Sequence, residues 1–146
     1  SRERLIVNFV EINGGNKMQR EICEKVVGHM ISKLLPRFRT LDITINLLNI
    51  KSEAVGFCMM EDKNIFEIEI DKKLSIKDMV TALCHEMVHV KQFARKEMVD
   101  GIQTGVARWK SKTIPLTTNY WDLPWEKEAY RMEKKLANSV WENGII

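Results

Sequence analysis

The sequence CHEMVH, residues 84–89, carries the most specific chemical pattern in this chain. It contains the motif His-Glu-x-x-His. Residues four apart on an α-helix lie one turn apart on nearly the same face, so His85 and His89 can bind one metal ion. Glu86 is rotated by about 100° from His85 and about 60° from His89, so it can flank the ion without binding it. A general base for a metal-bound water needs that position, and the motif therefore predicts a zinc site on a helix.

The residues around the motif predict a helix that is long enough to carry it. Ser75 and Asp78 form an N-capping pair, and the helix is expected to extend to about residue 96. Apolar residues recur along one side of it at helical spacing, and these are Ile76, Met79, Val80, Leu83, Met87, Val90 and Ala94. The motif residues fall beside this apolar stripe, at the edge of the predicted core.

The other segments predict an α+β fold. Strands are expected at residues 4–12, 41–50, 54–60 and 65–71, with a short strand pair or an irregular loop at residues 106–114. Helices are expected at residues 17–35, 75–96 and 125–143. Asp122 is the expected cap of the last helix, with Pro124 in its first turn. The predicted architecture is zincin-like: an N-terminal helix on a small mixed sheet, a central motif helix and a C-terminal helix, in one domain covering residues 1–146.

The composition limits the kinds of partner that are expected. The chain has 146 residues, of which 45% are hydrophobic and 29% charged, as in ordinary globular proteins. Its formal net charge of +3 is spread over scattered residues, so nucleic acid is not a favoured partner. No apolar run approaches the roughly 18 residues that a membrane helix needs. Three cysteines without a Cys-x-x-Cys pair favour a reducing, cytoplasmic location.

The third metal ligand distinguishes one class of zinc hydrolase from another. A catalytic zinc site has three protein ligands and an open position for water. The extended motif His-Glu-x-x-His-x-x-Gly-x-x-His is excluded, because Gln92 and Arg95 occupy its glycine and third histidine positions. No histidine follows His89 in the sequence, so a carboxylate is the expected third ligand. Glu126 and Glu128, at the start of the last predicted helix, are both candidates.

The motif and the start of the last helix together resemble a known family. The motif, followed by Pro-Trp-Glu-Lys-Glu-Ala-Tyr at residues 124–130, is similar to the minimal glutamate-zincin metallopeptidases. These include the ImmA/IrrE-type proteases and small phage-encoded SprT-like metallopeptidases. A glutamate in a Glu-x-x-Ala-[Asp/Asn] helix start is their third ligand, which nominates Glu126 here and leaves Glu128 as the alternative. Tyr130 departs from that pattern, and strict SprT proteins use a third histidine that this chain lacks. The resemblance covers residues 65–135.

The resemblance implies a zinc-dependent hydrolase of peptide bonds. Glu86 would be the general base on a zinc-bound water held by His85, His89 and a glutamate. Tyr120 is the first choice for stabilising the oxyanion and Tyr130 the second, with packing in an aromatic cluster as the other reading of both.

The resemblance also implies how a substrate binds. In zincins an extended peptide pairs with an edge strand before the motif helix, and residues 65–71 are the expected edge. Exposed Glu67 and Glu69 would then favour basic substrates. The expected partner is a protein or peptide in the cytoplasm, which is the host cytoplasm for a phage-encoded protein. The alternative is a non-catalytic zinc-binding regulatory or interaction module, in which a fourth protein ligand would close the site.

Overall fold

A computed structural model of the chain describes residues 7–99 and 105–146, which form an α+β fold, as predicted. The helices of the described part are α1 (Lys17–Leu34), α2 (Ile76–Ala94) and α3 (Pro124–Glu142). Its strands are β1 (Phe9–Gly14), β2 (Asp42–Leu48), β3 (Gly56–Asp62), β4 (Ile65–Asp71), β5 (Met98–Val99), β6 (Val106–Trp109) and β7 (Lys112–Pro115). A short 3-10 helix, Tyr120–Asp122, precedes α3. Residues 4–6 of the first predicted strand lie outside the described residues.

The main sheet has the strand order β1-β2-β4-β3 and is mixed, as predicted. The strands β1, β2 and β4 are parallel, whereas β3 is antiparallel to β4. Along β4, the side chains of Phe66, Ile68 and Ile70 are buried in one core with residues of all three helices. Glu67 and Glu69 point to the opposite face and are half-buried. The helices therefore cover one face of the sheet, and no described helix packs on the other face.

Strand β4 is an interior strand, so the prediction that residues 65–71 form the edge is wrong. The chain reverses after β3 in a two-residue turn at Lys63 and Asn64, and β4 then pairs with β2 on its other side. An interior strand with one open face has the same alternating pattern as an edge strand, so the local sequence cannot distinguish them. Glu67 lies inside the sheet and accepts a hydrogen bond from Asn46 Nδ2 at 2.6 Å. The hypothesis that it selects basic substrates loses its basis.

The ends of α2 and α3 agree in part with the predictions. Ser75 caps α2, because its Oγ accepts a hydrogen bond from the Asp78 backbone N–H at 3.2 Å. Pro124 occupies the first turn of α3, as predicted. The prediction for Asp122 is wrong, because Asp122 belongs to the 3-10 helix and Leu123 occupies the N-cap position instead.

A small second sheet, in the order β5-β6-β7, lies before α3. Its β6–β7 hairpin confirms the strand pair that was one of two options for residues 106–114. Ala107 and Trp109 of β6 form a separate apolar cluster with Trp125, the second residue of α3. This cluster fixes the start of α3, where the next residue is Glu126. Among the described residues, no helix is long and apolar enough to cross a membrane.

Candidate metal centre

Helix α2 presents His85 and His89 to the start of α3. Both histidines are buried, with 8% and 7% of their surface exposed. Nε2 of each ring lies 3.1 Å from the same atom, Oε1 of Glu126. One ligand atom from each of the three residues lies within 4.8 Å of the other two. Three of the residues predicted from the sequence are therefore brought together, in a group that could bind a metal ion.

Helix α3 brings Glu126 to the histidines because its first turns pack directly on α2. Ala129 is fully buried in the main core, and Trp125 packs against Trp109 with ring centroids 6.4 Å apart. Glu126 lies in the first turn of α3, where the positive end of the helix dipole stabilises a carboxylate. Burial, which on its own raises the pKa of Glu126, is outweighed by the two histidines, and the pKa falls to about 2.

Glu128, the alternative third ligand, lies in a different environment. Its Oε1 accepts hydrogen bonds from Lys91 Nζ at 2.8 Å and from Gln92 Nε2 at 3.1 Å. Its Oε2 lies 3.5 Å from Lys110 Nζ. Residues two apart on a helix point in nearly opposite directions, about 200° apart, so Glu126 and Glu128 cannot both face the histidines. Glu126, rather than Glu128, shares a site with them.

The second nitrogen of each histidine ring also faces an acceptor. His89 Nδ1 lies 2.8 Å from Oε1 of Gln92, and His85 Nδ1 lies 3.5 Å from Oε1 of Glu133. If each neutral ring carries its proton on Nδ1, the Nε2 lone pairs of both histidines point toward Oε1 of Glu126. Such a group requires protons or a cation between its members. Burial alone would lower the pKa of His89, but the hydrogen bond and the charge of Glu126, with smaller contributions from Glu86 and Gln92, raise it overall. Two imidazoles and a carboxylate fit a divalent metal ion.

Glu86 flanks this group without being part of it. Its carboxylate is buried, with 6% of the residue exposed, and it lies against β3. A Cβ atom added to Gly56 would be only 3.1 Å from Oε2 of Glu86, so the glycine makes room for the carboxylate. Burial raises the pKa of Glu86, and the neighbouring His89 and His85 only partly offset this effect. A carboxylate of this kind is suited to accept a proton.

A cleft between β3 and α2 opens onto the group. It consists of two adjoining cavities of about 350 and 300 Å³, and both are lined by Gly56, His85, Glu86 and Tyr120. Such volumes are typical of sites for small molecules or side chains. The carboxylate of Glu86 therefore has access to a bound molecule.

The two predicted tyrosines lie together at the cleft. The hydroxyl groups of Tyr120 and Tyr130 are 3.1 Å apart, and the Tyr130 ring packs against the ring of His85 with centroids 4.6 Å apart. Burial, with smaller contributions from Tyr130 and Glu126, raises the pKa of Tyr120 far above its ordinary value. A tyrosine hydroxyl is protonated at neutral pH even without this shift, so that of Tyr120 can donate a hydrogen bond into the cleft.

Sequence reasoning missed the roles of Gln92 and Glu133. Glu133 follows Glu126 by seven residues, which is two turns on the same face of α3, so its direction could have been inferred. Gln92 stood out only as a departure from the longer zinc motif. Nothing in the sequence indicates that its amide is buried beside His89.

No known protein family, curated protein or solved structure matches this chain.

Proposed function

We propose that this protein is a zinc-dependent metallopeptidase of the glutamate-zincin type. The observation that carries the proposal is the convergence of His85, His89 and Glu126 beside the buried carboxylate of Glu86. Two histidines and a glutamate are a ligand set of zinc hydrolases, in which three protein ligands leave a coordination position open. Two histidines and a carboxylate also bind non-haem iron. A buried base next to the group favours zinc and hydrolysis.

The protein groups around the site have distinct roles in this proposal. When bound, zinc would polarise a carbonyl group and lower the pKa of water toward neutrality. Glu86 accepts the proton of the attacking water and passes it to the leaving amine. The raised pKa of Glu86 brings its proton affinity closer to what this transfer needs near neutral pH. Tyr120, which lines both cavities of the cleft, donates a hydrogen bond to the developing oxyanion.

Strand β3 supplies a binding edge for an extended peptide. The Asp71 backbone N–H donates to the Val55 carbonyl at 3.0 Å, so the main-chain groups of Val55 point toward β4. By alternation, the main-chain groups of Gly56, Cys58 and Met60 point away from β4. A substrate strand can pair with these groups and lie across the cleft next to Glu86. The proposed edge strand is thus β3 in place of residues 65–71.

Replacing Glu86 by glutamine tests this function. The Glu86→Gln variant keeps the shape of the side chain but removes the base. We expect zinc content equal to wild type and a loss of peptide cleavage of about 10²–10⁴-fold. Glu142→Gln, an exposed change at the end of α3, is the control and should retain both properties.

Zinc would be measured by elemental analysis and cleavage with a library of unstructured peptides. Undiminished cleavage by the Glu86→Gln variant would refute the assigned role of Glu86. A wild-type protein that binds zinc but cleaves no peptide, including itself, would instead support the non-catalytic zinc module.

A further inference from the structure

The side chain of Gln92 is completely buried, with 0% of its surface exposed, at the interface of α2 and α3. Its amide contacts three polar groups. Nε2 lies 3.0 Å from the Trp125 carbonyl oxygen and 3.1 Å from Oε1 of Glu128, and Oε1 lies 2.8 Å from Nδ1 of His89. A buried amide with all these partners has a defined orientation.

The chemistry of these partners determines which end of the amide faces the histidine. The Trp125 carbonyl and the Glu128 carboxylate are both acceptors, so the amide NH₂ group must point toward them. The amide oxygen is then left facing His89, and an oxygen can only accept. Nδ1 of His89 must therefore be its donor. When a metal ion lies between the histidines and Glu126, the lone pair of the neutral ring is then on Nε2, toward that ion.

We propose that Gln92 is a positioning residue that sets the tautomer of His89 and so prepares Nε2 to bind the metal ion. This inference deepens the proposed function and rests on its metal site. The same amide also contacts the backbone of Trp125, which directly precedes Glu126. Gln92 thereby ties the orientation of one ligand on α2 to the position of another ligand on α3.

Glu128 prevents the side-chain amide of Gln92 from rotating by about 180°. Its Oε1 also accepts a hydrogen bond from Lys91 Nζ at 2.8 Å, and Lys91 lies 2.9 Å from Glu97. A reversed amide would place its oxygen against Glu128 and the Trp125 carbonyl and its NH₂ group against Nδ1 of His89. The amide oxygen would then face two other acceptors in a buried site, where an unsatisfied polar group costs about 1–3 kcal/mol.

Nitrogen-15 NMR of the zinc-loaded wild-type protein tests the tautomer directly. With ¹⁵N-labelled histidine, we expect His89 to carry its proton on Nδ1 and to bind zinc through Nε2. A proton on Nε2 of His89, with Nδ1 bound to zinc, would overturn the inference. This measurement requires no variant, so it decides even if changes at Gln92 prevent folding.

A matched pair of variants separates positioning from general stability. Gln92→Met keeps the length of the side chain but removes the acceptor, and we expect a zinc Kd about 10–100-fold higher and loss of the single Nδ1–H tautomer. Gln19→Met makes the same exchange in the capping box of α1, away from the site, and should lower Tm while leaving the zinc Kd and the tautomer unchanged. A folded Gln92→Met protein with wild-type Kd and tautomer would contradict the proposal.

The outcomes distinguish this inference from the proposed function. A protein with the expected tautomer and zinc affinity that cleaves no peptide would leave the role of Gln92 intact and remove the peptidase. A zinc-dependent peptidase in which His89 binds zinc through Nδ1 and carries its proton on Nε2 would do the reverse.

Discussion

The two tyrosines of the cleft differ in what their side chains contact. Tyr130 packs its ring on His85, whereas the ring of Tyr120 packs on Trp121, and the two hydroxyl groups lie 3.1 Å apart. Tyr120 lines both cavities of the cleft, and Tyr130 lines one of the two. We therefore propose Tyr120 as the hydrogen-bond donor and give Tyr130 a supporting role.

Replacing Tyr120 by phenylalanine tests this assignment. Removing one donor to an oxyanion typically lowers kcat by about 10²–10³-fold, and we expect a loss of that order with a smaller change in KM. Tyr130→Phe, which keeps the ring on His85, should cause a smaller loss. Steady-state kinetics with one peptide substrate measure both variants. An unchanged kcat for Tyr120→Phe would exclude this role.

Single residues also show what the sequence could and could not predict. His85, Glu86 and His89 follow from helical spacing alone, because all three lie within one turn of one helix. The resemblance to the glutamate-zincins favoured Glu126 over Glu128, and the structure brings Glu126 to the histidines. The role of Gln92 depends on three partners, two of them on another helix, and no local pattern encodes such contacts.

Strand β3 adjoins the candidate site that α2 and α3 form. Its first residue, Gly56, leaves room for Glu86, for Ile70 and for the Glu69 carbonyl of β4. A Cβ atom there would lie 3.0–3.1 Å from all three neighbours. A side chain at this position of β3 would therefore press on the carboxylate of Glu86.

Replacing Gly56 by alanine should therefore disturb the proposed base while leaving the metal ligands in place. We expect kcat/KM to fall about tenfold or more, because small misplacements near reacting groups are costly. Zinc affinity should stay within a few-fold of wild type. Gly28→Ala is the matched control: its added Cβ meets no atom within 4 Å, and alanine in a helix interior should stabilise by about 0.5–1 kcal/mol. Equal kinetic effects of both changes would contradict this account.

The elements were predictable to different extents for a physical reason. Helices α1, α2 and α3 show their apolar spacing and end signals within one segment, so their positions follow from the sequence. The order β1-β2-β4-β3 depends on which distant strand β4 pairs with, and its alternating residues fit an interior or an edge position equally well. The wrong prediction that residues 65–71 form an edge strand comes from this long-range pairing of β4, which the local sequence does not determine.

Over the whole molecule, the candidate metal site joins parts of the chain that are far apart in sequence. His85 and Glu126 are separated by 41 residues, and the hairpin of β6 and β7 lies between them. A metal ion at this site would connect α2 to α3 only in the folded state. Binding should therefore stabilise the whole fold.

Thermal unfolding with and without zinc tests this linkage. At a free zinc concentration about 100-fold above Kd, the expected stabilisation is about 2.7 kcal/mol, and Tm should rise accordingly. A chelator should reverse the shift. The Tm of the His89→Ala variant should not rise with zinc, because this variant lacks one of the three ligands. A Tm that does not respond to zinc would argue against a site bridging the two helices.

The zinc content of wild type, Glu126→Gln and Glu128→Gln, purified in parallel and measured by elemental analysis, is the most direct test of the central claim. The three-residue site predicts about one zinc ion per chain in wild type and in Glu128→Gln, and a loss of most of it in Glu126→Gln. Each exchange keeps the shape of the side chain, so the comparison isolates the ligand charge. A wild-type protein that binds no zinc, or zinc lost from Glu128→Gln and retained by Glu126→Gln, would contradict the account.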